Sequence, residues 1–193
     1  MRVNLAKTGI KSSFLSCEKD IETILRKLFI ESRPYSDDLK RLLVINTKDC
    51  LDNKTNQVYL NKLNETSIAK LRDEGYIKLE PKVKLGEHED IKSYIIISFD
   101  NFIQTSNPEF RDCAVNFDIL CHTDYWDIGD YRLRPLKIAG FIDGILNNSK
   151  LSGIGELQFL GCNELVLDEN FAGYTLMYIA THGSDDMIPN EEE

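Results

Sequence analysis

A chain of 193 residues, 42% of them hydrophobic, has the length for one ordinary domain and the apolar content for a real core. Its formal charge of −9 is uneven: residues 1–93 carry 18 Lys and Arg against 15 Asp and Glu (+3), and residues 94–193 carry 5 against 17 (−12). The acidic second half argues against sequence-independent nucleic-acid binding there, and the absence of any run of about 18 apolar residues argues against a helical membrane span.

In chain order, residues 1–16 are poor in apolar side chains and mildly basic through Arg2, Lys7 and Lys11, and read as an N-terminal arm. Ser16 is placed to cap a helix whose stripe is Ile21, Ile24, Leu25, Leu28 and Phe29, with Pro34 as its stop. Leu42-Leu-Val-Ile45 is an apolar run that suits either a strand or a short helix. Residues 52–56 form a turn, and residues 64–73 a short helix ended near Gly75. Residues 76–93 alternate weakly among many charges, so 54–93 read as an insertion carrying a hairpin or flap.

Tyr94-Ile-Ile-Ile-Ser-Phe99 predicts a strand buried on both faces. In the next strand Cys113, Val115, Phe117, Ile119 and Cys121 alternate with Asp112, Ala114, Asn116, Asp118 and Leu120, giving one buried and one largely polar face. Ile138, Phe141, Ile142, Ile145 and Leu146 then fall on one helical stripe, which Asp130 is placed to cap and Asn147-Asn-Ser149 to end. Two final strands follow, with a bulge expected near Gly161, and residues 184–193 make an acidic tail. The fold class is therefore α+β: an antiparallel sheet of about four strands with helices on one face, occupying residues 17–183.

Chemistry is harder to find. The five cysteines are odd in number and form no Cys-x-x-Cys pair, which argues against a zinc cluster or a disulfide framework. With no apolar leader at the N-terminus, reduced thiols in an intracellular setting are expected, with Cys113 and Cys121 as small core residues. Asp118, His122 and Asp124 share one side of a strand in a pattern that suits a metal, but a solvated or intersubunit polar face is the reading the alternation favours. His88 and His182 stand apart from any Ser or Cys in a nucleophile context. Tyr125 and Trp126 suit the end of a sheet or an interface, and Asp127, Arg132 and Arg134 suit ion pairs either with a neighbouring copy or locally. The uneven charge suggests that the basic arm of one copy reaches the acidic half of another.

The run Asn107-Pro-Glu-Phe-Arg-Asp112, the strand Phe117-Asp-Ile-Leu-Cys-His122, the helix Leu133-Arg-Pro-Leu-Lys-Ile-Ala-Gly140 and the ending Ala172-Gly-Tyr-Thr-Leu-Met-Tyr178 resemble small structural proteins of tailed bacteriophages. The layout over residues 15–183 is similar to that of tail terminator and neck proteins. The resemblance implies a homo-oligomeric ring, commonly a hexamer, at the head-proximal end of the tail. It would be assembled in the host cytoplasm and carried in the virion at the head–tail junction. Its implied neighbours are the tail tube protein and the connector or stopper proteins, with DNA crossing the lumen without specific binding. No cofactor, metal, membrane or catalysis is implied. A head-completion or connector protein is the alternative of the same class. A small metal-dependent nuclease or hydrolase built on Asp118, His122 and Asp124 is the alternative of a different one.

Overall fold

The computed structural model describes residues 13–52, 54–80, 92–107, 110–151 and 156–183. Its centre is a five-stranded sheet in the order β1-β2-β3-β5-β4. The strands are β1 (Ile77–Lys78), β2 (Ser93–Gln104), β3 (Phe110–His122), β4 (Gln158–Val166) and β5 (Phe171–Gly183). All neighbours run antiparallel except β1, which lies parallel to β2. Helices α1 (Ser13–Arg26), α2 (Tyr35–Val44) and α5 (Arg134–Leu146) pack against one face, and α3 (Gln57–Asn64) and α4 (Ile68–Asp73) lie in the connection to the sheet. The protein is α+β, as its residue periodicity predicts.

The period-two pattern of β3 sets the layering. Cys113, Val115, Phe117, Ile119 and Cys121 are all buried, and they share one core with Ile95 and Ile97 of β2 and Leu176, Tyr178 and Ala180 of β5. Antiparallel register puts Phe117 opposite both Ile97 and Leu176, so three strands deliver apolar side chains to the same level. Phe117 meets Tyr178 edge to face, with ring centroids 5.7 Å apart. From above, α5 contributes Ile138, Ile142 and Leu146, while Tyr178 Oη donates to Asp143 Oδ1 of α5 at 2.9 Å. Burial, that hydrogen bond and the Asp143 charge hold the Tyr178 phenol well above its ordinary range. Gly173 admits no side chain: a Cβ there would lie 1.7 Å from the Ile119 carbonyl oxygen, so β3 and β5 reach their spacing only because this residue is glycine.

Several expectations need correction. The first helix starts at Ser13, so Ser16 is not its cap and the supposed arm is helical from that point; after Arg26 it runs into a π-helical turn, Lys27–Glu31. Of the strand and the short helix left open for the apolar run after Asp38, the structure has the helix, the end of α2, because Leu39, Leu42 and Leu43 fall on one helical face toward the core. The short helix expected over 64–73 is present as α4, with Ser67 as its cap, accepting from the Lys70 amide, and Gly75 left-handed just past its end; ahead of it α3, capped by Asn56 accepting from the Val58 amide, has no counterpart among the expected elements, and the described part of the hairpin expected over 76–93 holds only the two-residue β1. The rest of the expected flap, 81–91, lies outside the described residues, as do residues 1–12 with Arg2, Lys7 and Lys11, His88 and the acidic tail. Asp130 does not cap α5; it sits in a left-handed turn at φ 50°, and the helix begins after Leu133 with Pro135 in its first turn. The bulge falls where expected, between Phe159 and Gly161.

Because Phe117 is fully buried beneath α5, Phe117→Ala is expected to cost about 3–5 kcal/mol in chemical denaturation. A loss below roughly 1 kcal/mol would mean that the site collapses around the missing ring.

Candidate functional site

The turn that carries the chain from β3 into α5 holds most of the residues that the sequence singles out. A 3-10 turn, Thr123–Tyr125, leaves the sheet, and a narrow loop closed by paired Asp127 and Leu133 follows. Asp127 Oδ1 accepts from the Gly129 amide at 2.8 Å, and Gly129, Asp130 and Tyr131 are consecutively left-handed, at φ 84°, 50° and 60°. Two successive side-chain-bearing residues in that region carry backbone strain. Its visible result is that Tyr131 stands fully in solvent. Trp126 leans on Tyr174, centroids 6.5 Å apart, and packs against the core edge, which fits the sheet-plug reading.

The two arginines part company. Arg132 makes a two-pronged ion pair with Asp52, with contacts of 2.9 and 2.5 Å, and lies 3.5 Å from Asp130. Its hydrogen bonds draw the Asp52 carboxyl below its ordinary value and push Arg132 higher still. Arg134 is not at the surface at all. It is fully buried, and its guanidinium donates to the carbonyls of Tyr125 (2.9 Å), Leu42 (2.5 Å), Ile45 (3.1 Å) and Thr47 (2.9 Å), while its amide donates to Trp126 O at 2.7 Å. Leu42 lies in the last turn of α2, so the cation sits at the negative pole of that helix and supplies donors its terminal carbonyls lack. The expectation that Arg134 meets a neighbouring copy therefore fails: the side chain is fully buried, and four of its five N–H donors are spent on carbonyls of its own chain.

The outward side of α5 forms the rim of an open groove. Leu136, Gly140 and Gly144 recur at every fourth residue on this side, and nothing lies within 4 Å of the space a Cβ would take at either glycine. Tyr131 and Leu136 are exposed in its lining, and Tyr35 of α2, which also lines it, tilts against Phe141, centroids 6.0 Å apart. Lys137 and Arg132 give the groove a basic edge. The sequence carried a signal for it in the spacing of Leu136, Gly140 and Gly144.

The opposite surface of the sheet is different in kind. Residues 100, 112, 116, 118, 175 and 181 alternate out of the core and form a lattice of cross-strand hydrogen bonds: Thr175 Oγ1 donates to Asp118 at 2.6 Å, Thr181 Oγ1 to Asp112 at 2.7 Å, and Asn116 to Asp100 at 3.4 Å. None of the register positions on this face of β2, β3, β5 and β4 is Lys or Arg. Asp118 is thus held by Thr175, whereas His122 faces Phe171 edge-on and shares a local turn with Asp124, whose amide donates to His122 Nδ1 at 3.2 Å. The three are not gathered at one point, and among the described residues no group of three or more His, Cys, Asp and Glu is arranged to hold a metal ion.

A family model named YomW matches residues 36–180. The chain belongs to the YomW family. That family is phage-derived, of the Bacillus phage SPBeta-like kind, which agrees with the coarse part of the resemblance to phage proteins. No curated protein matches the chain. The matched span runs from α2 through most of β5, so the Arg134 clamp, the groove face of α5 and the carboxylate face as far as Ile179 all fall inside the YomW region, while α1 precedes it.

One residue that the sequence leaves aside proves not to be isolated: His182 is buried between Asp20 of α1 and Cys113 of β3. No local motif marks this, because the three positions lie 162 and 69 residues from one another along the chain.

Removing the Arg134 fork strands several buried carbonyls. Arg134→Met is expected to lower stability by about 3–5 kcal/mol in urea titration, and Arg134→Lys to recover little, since an ammonium cannot span the same acceptors. Full recovery by Lys would show that charge alone, and not the fork, is what the site needs.

Proposed function

We propose that this chain is a structural protein of a phage virion that closes into a ring, taken as a hexamer, at the head-proximal end of the tail. There it caps the tail tube and joins it to the connector, with DNA passing through the lumen. The observation that carries the reading is the pairing of two unlike surfaces on one YomW-family fold: an aromatic groove on α5 and a carboxylate face on the sheet. A groove edged by an outward-held Tyr131 and an exposed Leu136 offers apolar area for a neighbouring copy. Contact between a groove on one copy and a different surface on the next is heterologous, and such contacts close into rings. The carboxylate face, with no basic residue at its register positions, suits a lumen wall that must let a polyanion pass without holding it.

In this reading the protein acts by shape and charge and catalyses nothing. Its neighbours are further copies of itself, the tail tube protein and the connector or stopper proteins, and its place is the virion. The Arg134 clamp fixes where α5 sits relative to α2, and therefore the shape of the groove that Tyr35 of α2 and the outward side of α5 line.

Native mass spectrometry with electron microscopy tests the reading. The wild-type chain should form closed rings, alone or on polymerised tail tube, and Leu136→Asp with Tyr131→Ala should yield a monomer of unchanged circular dichroism. A wild-type chain that stays monomeric in the presence of tail tube overturns it, and so does a hydrolytic activity lost on Asp118→Asn with His122→Ala.

A further inference from the structure

We propose that Cys17 and Cys113 are a redox-active thiol pair that a hydroperoxide converts to a disulfide, with His182 and Asp20 serving the bond-forming step. The four residues come from α1, β3 and β5 and meet in the interior, where Asp20, Cys113 and His182 are no more than 1% exposed. Cys113 Sγ lies 3.5 Å from His182 Nδ1, His182 Nε2 is hydrogen-bonded to an Asp20 carboxylate oxygen, and the Cys17 and Cys113 thiols are hydrogen-bonded to each other. In the neutral imidazole, donation from Nε2 to the Asp20 carboxylate leaves Nδ1 with a lone pair facing Cys113. This is the nucleophile, base and orienting-acid arrangement, assembled around a second sulfur.

The two thiols are not equivalent. Cys17 is the more accessible, at 9% exposed, and the hydrogen bond from Cys113 holds its thiol below the ordinary range despite burial. Cys113 is 1% exposed and is held far above that range, first because its proton serves Cys17 and then by burial. The thiolate is the reactive form, so Cys17 attacks and Cys113 resolves. Cys17 sulfur takes one peroxide oxygen as the O–O bond breaks, giving a sulfenic acid and releasing the other oxygen as water or an alcohol. Cys113 then passes its proton to His182 Nδ1, its sulfur bonds to Cys17 sulfur, and the expelled hydroxide leaves as water with the proton from His182. Overall, two thiols and one hydroperoxide give one disulfide, one water and one water or alcohol. The other cysteines lack this setting: burial pushes Cys121 up to about 11 and also raises Cys50 and the exposed Cys162.

The product would tie α1 to the central strand of the sheet, independently of any ring. The reduced full-length chain is treated with hydrogen peroxide, blocked with N-ethylmaleimide in denaturant, digested and mapped by mass. A Cys17–Cys113 linked peptide that dithiothreitol reverses is expected. Cys113→Ser should leave Cys17 as a sulfenic acid that dimedone labels, and His182→Gln, checked for native circular dichroism, should slow conversion of the Cys17 sulfenic acid to the disulfide about a hundredfold, a step read separately from the first oxidation of Cys17. Full maleimide labelling of Cys17 and Cys113 after peroxide, with oxidation confined to Cys162, overturns the proposal whether or not the protein forms rings. Linkage at an unchanged rate in folded His182→Gln overturns the role of the imidazole.

Discussion

The buried guanidinium of Arg134 is the contact on which the arrangement of the helices depends. Placing a permanent cation inside a protein costs several kcal/mol unless its donors are matched, and here the matching groups are backbone carbonyls rather than an acid. That choice has a structural consequence. Carbonyls at Tyr125, Leu42, Ile45 and Thr47 belong to two distant segments, and one rigid planar group satisfies them only when those segments lie in one relative position. The clamp therefore closes α2, the loop after it and the start of α5 into a single unit. Around it Tyr59 extends the same logic with side chains, joining α3 to Thr47 at 3.0 Å and to Asp49 at 2.9 Å.

The sheet supplies the other half of the rigidity by a different means. Its central strand pairs along its whole length with β5, from Phe110 against Gly183 to His122 against Phe171, so a shift of one residue would exchange the apolar and polar faces entirely. Gly173 guards that register sterically, since no other residue fits beneath the Ile119 carbonyl. On the far face Tyr94, Ile96, Leu120 and Phe171 gather into a second, smaller apolar cluster at one end. This is why the Tyr94–Phe99 run reads as buried on both sides.

How much of this was legible in the sequence follows from the range of each interaction. The alternation in β3 and the stripe of α5 are local, repeated and tied to burial, so they announce themselves. The helix α3 has no buried residue and depends on Asn56 and Tyr59, and β1 is two residues long; neither generates a period. Arg134 looks like a surface arginine because its acceptors lie about 90 residues away and are backbone atoms that any sequence would carry. The Cys113, His182 and Asp20 contact is hidden for the same reason. Cys113 sits at a position that periodicity assigns to the core, but no pattern marks Asp20 or His182 as buried, and only the fold shows that the three touch. The groove on α5 is half visible: its residues lie inside a well-marked helix, but Leu136, Gly140 and Gly144 face away from the buried stripe, and burial is what makes a stripe stand out.

The carboxylate face also has a property that hydrogen-bond geometry alone does not convey. Each threonine hydroxyl that anchors Asp112 or Asp118 occupies one lone pair and fixes the group in place, leaving the rest of the carboxylate toward solvent. Charges immobilised in this way make a surface potential whose reach is governed by dissolved ions rather than by side-chain motion. At physiological ionic strength that reach is about 8 Å, and it widens to about 30 Å in dilute buffer. A flexible polyanion moving past such a wall would thus meet a soft standoff distance, short at physiological ionic strength and several times longer at low salt, written into β2 and β3 by aspartates that β3 and β5 hold in place.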